Sequence, residues 1–262
     1  RVVRGEQRTL VRSPPKRLFR TGVLDFAKDR LSYRSAPLGL MRRTAIDRLD
    51  LRLLDGARNG GDLPFVTWLW LTGRVVAAAG VEAYVEHADA PVRVTHVAKP
   101  VREELAPLHA TLADPRAARM TRAQREALGT KLLRRNVVDS LRKRGQGRGL
   151  TDDDLVALRE LIVLIDGFAP RARRMVSRAH AALFDELLGV SPDLERIADL
   201  DASALRLRSA AAVLPADLTL LFGRQSQPRF MAASALIKVG ASRFFPAFRV
   251  VLAAIAAIAV VG

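Results

Sequence analysis

The chain has 262 residues, 49% of them apolar, which is enough to bury a sizeable core and too much for a disordered tail. Its 43 Lys plus Arg against 27 Asp plus Glu leave a formal charge of +16, a field that favours anionic partners: nucleic acid, anionic lipid or acidic faces of neighbouring subunits. The absence of cysteine excludes disulfides, thiolate catalysis and cysteine-ligated zinc or iron–sulfur clusters.

Residues 1–36 read as a basic extended arm. Arg1, Arg4, Arg8, Arg12, Lys16, Arg17 and Arg20 face one acid, Glu6, and Pro14 with Pro15 interrupts any helix until a short one around Val23 to Leu31. A start at Arg1 without Met fits a processed form or a fragment, and the arginine bias is that of a mitochondrial presequence remnant.

Residues 37–118 follow. Leu38, Met41, Ala45, Leu49 and Leu53 recur every three or four positions with Arg42, Arg43, Arg48 and Arg52 between them, which predicts an amphipathic helix from Leu38 to Leu54 with a basic face. Gly56 and the Asn59 to Asp62 run stop it. Leu63 to Val85 is apolar and holds both tryptophans, Trp68 and Trp70, so it is either a core helix or an aromatic belt at a membrane interface. Val92, Val94 and His96 or Val97, between Pro91 and Pro100, predict one short extended piece.

Residues 119–222 carry helical punctuation. Thr121 with Gln124 is a capping-box pattern opening a helix that holds Leu128, Leu132 and Val138 and runs to the glycine cluster at 145–149. Thr151 followed by Asp152, Asp153 and Asp154 opens the next, with Leu155, Leu158, Ile162 and Ile165 on one face up to Gly167. A third is expected from Pro170 through Met175, Ala179, Leu183 and Leu187 to Gly189, and a fourth from an N-cap at Ser191 with Pro192 in the first position. Helices with breaks this short pack as neighbours in a bundle. Leu128, Leu132, Leu158, Ile162, Ile165 and Leu183 are its expected interior.

Residues 223–262 read as a membrane-proximal segment and a C-terminal apolar helix. From Phe244 to Gly262 only Arg249 is charged, and a span of roughly 20 apolar residues crosses a bilayer. Phe244, Phe245, Phe248 and Arg249 would anchor at the headgroups, with Val251, Ile255 and Ile258 in the apolar core. Arg224, Arg229, Lys238 and Arg243 all precede the run, which keeps the bulk of the chain on the matrix side of a mitochondrial inner membrane. Burial inside an oligomer is the competing reading.

No catalytic, cofactor-binding or metal-ligating constellation emerges. His87, His96, His109 and His180 lack zinc spacing, and Asp152 to Asp154 read as first-turn acids on a helix dipole rather than as a metal cluster. The glycines at 145–149 have neither the preceding strand of a dinucleotide site nor the Lys-Ser/Thr ending of a P-loop. Arg134, Arg135, Arg142, Lys143, Arg144 and Arg148 form one candidate patch for the phosphates of lipid or RNA, and Arg171, Arg173 and Arg174 a second.

The sequence therefore predicts a mostly α protein: a helical bundle with a basic irregular N-terminal arm and a C-terminal transmembrane helix. The expected role is that of a non-catalytic accessory subunit without cofactor in a mitochondrial inner-membrane complex, such as a respiratory complex or ATP synthase. Its partners would be other subunits of the complex and anionic lipid such as cardiolipin. The alternative is an organellar ribosomal or other RNA-associated protein that binds nucleic acid through its arginine patches.

Overall fold

Two reciprocal capping boxes set the frame of the molecule, at Thr121 with Gln124 and at Thr151 with Asp154. In each, the threonine hydroxyl takes the N–H three residues on, and the long side chain reaches back to the threonine N–H. The computed structural model describes residues 2–4, 7–9, 22–34, 39–57, 59–76, 86–87, 99–146, 149–206 and 209–239. These are mostly helical.

The helices in chain order are α1 (Arg43–Arg48), α2 (Asp62–Thr72), α3 (Val101–Ala113), α4 (Pro115–Ala118), α5 (Arg122–Lys131), α6 (Val138–Gln146), α7 (Asp152–Phe168), α8 (Ala172–Met175), α9 (Arg178–Leu188), α10 (Leu194–Leu205), α11 (Ala210–Val213) and α12 (Gln227–Val239). A π turn, Leu132–Val137, joins α5 to α6. Three short strands pair with one another: β1 (Val2–Arg4) runs antiparallel to β2 (Gln7–Thr9) and parallel to β3 (Glu86–His87).

The six residues expected inside the bundle are all buried, at 1% exposure or less. They belong to one continuous apolar cluster that also takes in Leu24, Trp68, Leu105 and Ile197, so the chain before residue 119 shares the core of the helices after it. The periodicity works because leucines and isoleucines at i, i+3, i+4 and i+7 fall on one stripe. Around this core α7 packs against α3, α5 and α9, and α9 against α10. Arg159 on α7 closes the far end of α9, its Nε donating to the Leu187 carbonyl at 2.6 Å and its Nη2 to that of Gly189.

Several expected elements differ. The helix predicted from Leu38 to Leu54 contracts to α1, because the chain closes it early: Asp50 takes the left-handed conformation at φ 44, and the Leu51 N–H bonds back to Ile46. Leu51 is then buried, whereas Leu53 projects into solvent. The Trp-bearing helix is α2, stopped at Gly73. Trp68 is buried under the Arg116 guanidinium, 4.7 Å from its ring, and the half-buried Trp70 donates its indole N–H to the Arg34 carbonyl at 2.8 Å. Trp68 belongs to the core and Trp70 packs against it. The helix expected from Pro170 to Gly189 breaks at Val176, where Val176 and Ser177 turn extended and the chain around them bonds to the backbone of residues 214–217, and Ser177 caps a fresh start. The next helix is capped by Asp193, whose Oδ1 accepts the N–H groups of Glu195 and Arg196, not by Ser191. The extended piece expected at Val92 to Val97 lies outside the described residues.

Candidate functional site

Two unusual backbone features lie in the segments that frame one arginine cluster. Arg30 adopts φ 51, ψ 40, a left-handed conformation that residues other than glycine rarely take and that stores strain where a site requires it. The π turn Leu132–Val137 carries Arg134; such turns add a residue to the helical repeat, redirect side chains and concentrate at functional positions. Both guanidinium groups end over the ring of Phe230, in the first turns of α12, at 5.8 and 4.5 Å from its centre. The Tyr33 ring sits 4.9 Å from the same ring.

The hydrogen bonds tie four segments together. Arg30 Nη2 donates to the carbonyls of Arg224 and Arg229 at 3.0 and 3.2 Å. Arg134 donates from Nη1 to the Tyr33 hydroxyl at 2.6 Å and from Nη2 to the Gln225 carbonyl at 3.0 Å. Gln225 reaches back through Nε2 to the Ala27 carbonyl at 3.0 Å, and Ser32 Oγ donates to the Ala127 carbonyl on α5. Burial, then the like charges of Arg224, Arg134 and Arg229 bring Arg30 down to about 10, with Tyr33 opposing them. Burying like charges together is costly, and here carbonyl dipoles and an aromatic face offset the cost.

The cations singled out by sequence lie elsewhere in the network, with the exception of Arg134. Arg142 grips Asp201 with two nitrogens, the shortest bond being 2.7 Å, and joins α6 to α10. Lys143 and the fully buried Arg144 each reach Glu104 on α3 at 2.7 Å. Arg135 pairs with Asp139 at 3.3 Å, Arg171 with Glu126 at 3.4 Å, Arg173 with Asp166 and Asp185 at 3.2 and 2.5 Å, and Arg174 with Asp217. Arg148 lies outside the described residues. So do the anchor positions Phe244, Phe245, Phe248, Arg249, Val251, Ile255 and Ile258; among the described residues no helix is long and apolar enough to cross a membrane.

The acids at 152–154 open α7, and Asp154 is spent on capping. His180 is buried with Nδ1 3.1 Å from Ser177 Oγ, but that oxygen also accepts the His180 N–H as the cap of α9, so the pair is a helix start. Among the described residues no three His, Asp or Glu side chains gather as metal ligands would. Sequence reading missed Arg30, Gln225, Ser226 and Phe230. The one available signal was the polar run Arg224 to Arg229 placed directly before an apolar helix.

The chain matches no protein-family model, and neither a curated protein nor a solved structure matches it.

Proposed function

We propose that the chain is a non-catalytic accessory subunit of a mitochondrial inner-membrane complex, a respiratory complex or ATP synthase, with its helical body on the matrix side. The observation that carries this reading over RNA binding is the internal pairing of the patch cations. Arg135, Arg142, Lys143, Arg144, Arg171, Arg173 and Arg174 each face a carboxylate of the same chain, and Arg134 is buried. Affinity for a phosphate backbone comes from free cations that displace the counterions condensed on the phosphates, and cations already neutralised by carboxylates contribute little to that release.

The arginine cluster supports a mechanical role. Arg30 and Arg134 hold the carbonyls of residues 224, 225 and 229 and the ring of Phe230, so the start of α12 is fastened to the body. That helix continues in sequence toward the apolar run at 244–262. The cluster then acts as the joint between body and anchor, and Arg229, Lys238 and Arg243, which precede the apolar run in sequence, are the cations proposed to meet cardiolipin headgroups.

The test is a binding titration of the full chain in mild detergent with RNA at several salt concentrations, beside flotation with vesicles with and without cardiolipin. The reading expects cardiolipin-dependent flotation and RNA binding too weak to survive physiological salt. Tight RNA binding at that salt, with log affinity falling by roughly 0.7 to 0.9 per log salt for each phosphate neutralised, would replace it with the ribosomal alternative.

A further inference from the structure

The residue before α12 is a serine that does not cap. Ser226 is fully buried and its Oγ has no hydrogen-bond partner, although that position ordinarily takes an N–H of the first helical turn. The groups converging on the same turn are also incompletely used. Arg30, 1% exposed, leaves Nε and Nη1 without partners, and Arg134, 6% exposed, leaves Nε. The Oε1 atoms of Gln225 and Gln227, both in buried residues, accept nothing. Buried polar groups in native proteins are nearly always paired, so orphaned atoms on Gln225, Ser226 and Gln227 and on the two arginines bonded to residues 224–229 require an explanation.

We propose that the first turn of α12, with Arg30, Arg134 and Ser226, is a binding site for hydrogen phosphate or a phosphomonoester. The orphaned atoms specify the ligand. Arginine N–H groups and the serine hydroxyl are donors that call for an oxyanion, and a helix N-terminus adds its positive end. The two glutamine Oε1 atoms are acceptors and call for an O–H. Gln225 Nε2 already donates to the Ala27 carbonyl, which fixes the orientation of that amide. Hydrogen phosphate and a phosphomonoester carrying one proton present both kinds of group, whereas sulfate and the phosphodiesters of cardiolipin or RNA present acceptors alone. Bound phosphate would also screen the mutual repulsion of the arginines. This site is independent of the membrane seat, since a soluble form of the chain would retain it.

The experiment is calorimetric titration of the full chain in mild detergent, at constant ionic strength in chloride, with inorganic phosphate, glycerol phosphate and sulfate, and flotation with cardiolipin vesicles in parallel. Saturable binding of phosphate, glycerol phosphate or both, with sulfate weaker by roughly tenfold or more, is the expected result. Ser226→Ala, which removes an unpaired hydroxyl and leaves the fold intact, should weaken phosphate by roughly tenfold, and Arg134→Gln at least as much. Absence of saturation at millimolar phosphate, equal affinity for sulfate, vesicle binding with no free-phosphate binding, or unchanged affinity in Ser226→Ala would each overturn the assignment.

Discussion

Asp154 Oδ1 accepts the backbone N–H of Val101 at 2.9 Å. One carboxylate thereby closes the capping box of its own helix α7 and caps the start of α3, which is 53 residues earlier in the chain. Its other oxygen lies 3.9 Å from Arg144 Nε, and Arg144 also donates to the Lys99 carbonyl just before α3. Asp154→Ala removes two caps and part of the charge facing a buried guanidinium. The expected loss is about 2–4 kcal/mol, from about 1 for each cap and the remainder for the exposed imbalance at Arg144. Urea unfolding of the variant measures it, and a loss within experimental scatter would show that Glu104 alone sustains this junction.

Gly129 on α5 sits where that helix meets α7 and α8. A methyl group there would come within 2.7 Å of the Ala169 Cβ and 3.2 Å of the Ala172 Cβ, and neither short side chain can turn away. Gly129→Ala should therefore destabilise by about 1–3 kcal/mol, although alanine is the better helix former by about 1 kcal/mol. A thermal midpoint above that of the native chain would mean that the helices separate easily.

His180 gives the stability a pH dependence of definite sign. Burial, then Arg142 and Arg134, lower it to about 4, with Asp201 opposing, whereas the unfolded ring protonates near 6.5. Between those values the unfolded chain binds the extra proton, so the stabilisation from the neutral ring is complete above 6.5 and is lost as the pH falls to about 4. The full span is worth up to about 3 kcal/mol. Unfolding midpoints measured across this window should fall more steeply for the native chain than for His180→Phe, and parallel profiles would rule the assignment out.

Lys131, buried just before the π turn, is brought to about 8, first by burial and then by Arg135, while Asp62 and Asp139 pull the other way. At neutral pH the lysine is charged in both folded and unfolded chains, so the folded state bears the whole cost of the buried ammonium. Lys131→Met keeps the volume and should raise stability at pH 7 by about 1–3 kcal/mol. The gain should shrink as the pH rises from about 8 toward 10.5, because the folded lysine is then neutral while the unfolded one still holds its proton, so rising pH favours the folded native chain. A destabilised Lys131→Met would mean that the ammonium makes a needed bond.

What could be read from the sequence was local. Thr121 with Gln124, Thr151 with Asp154 and the apolar stripe through Leu158, Ile162 and Ile165 encode their structure within a turn or two of chain. Helix α3 escaped notice because Pro107 lies inside it and its start is capped from a distance by Asp154. The break at Val176 depends on residues 214–217, and no periodicity within 170–189 records that pairing. The arginines were legible as charges but not as partners. Arg142 finds Asp201 across 59 positions, and Arg134 finds the main-chain carbonyl of Gln225 across 91; a carbonyl leaves no mark on the residue type that carries it.

The central claim, a subunit held at an energy-converting membrane, is tested most directly by native-gel analysis of carbonate-washed mitochondrial membranes that carry the tagged chain. The account predicts that the chain stays with the membranes and migrates in a discrete assembly far larger than 28.7 kDa. The double variant Ala254→Arg with Ile258→Arg, which places charge at the centre of the apolar run, should be washed away. Release of the native chain by carbonate, or its recovery in ribosomal fractions, would contradict the account.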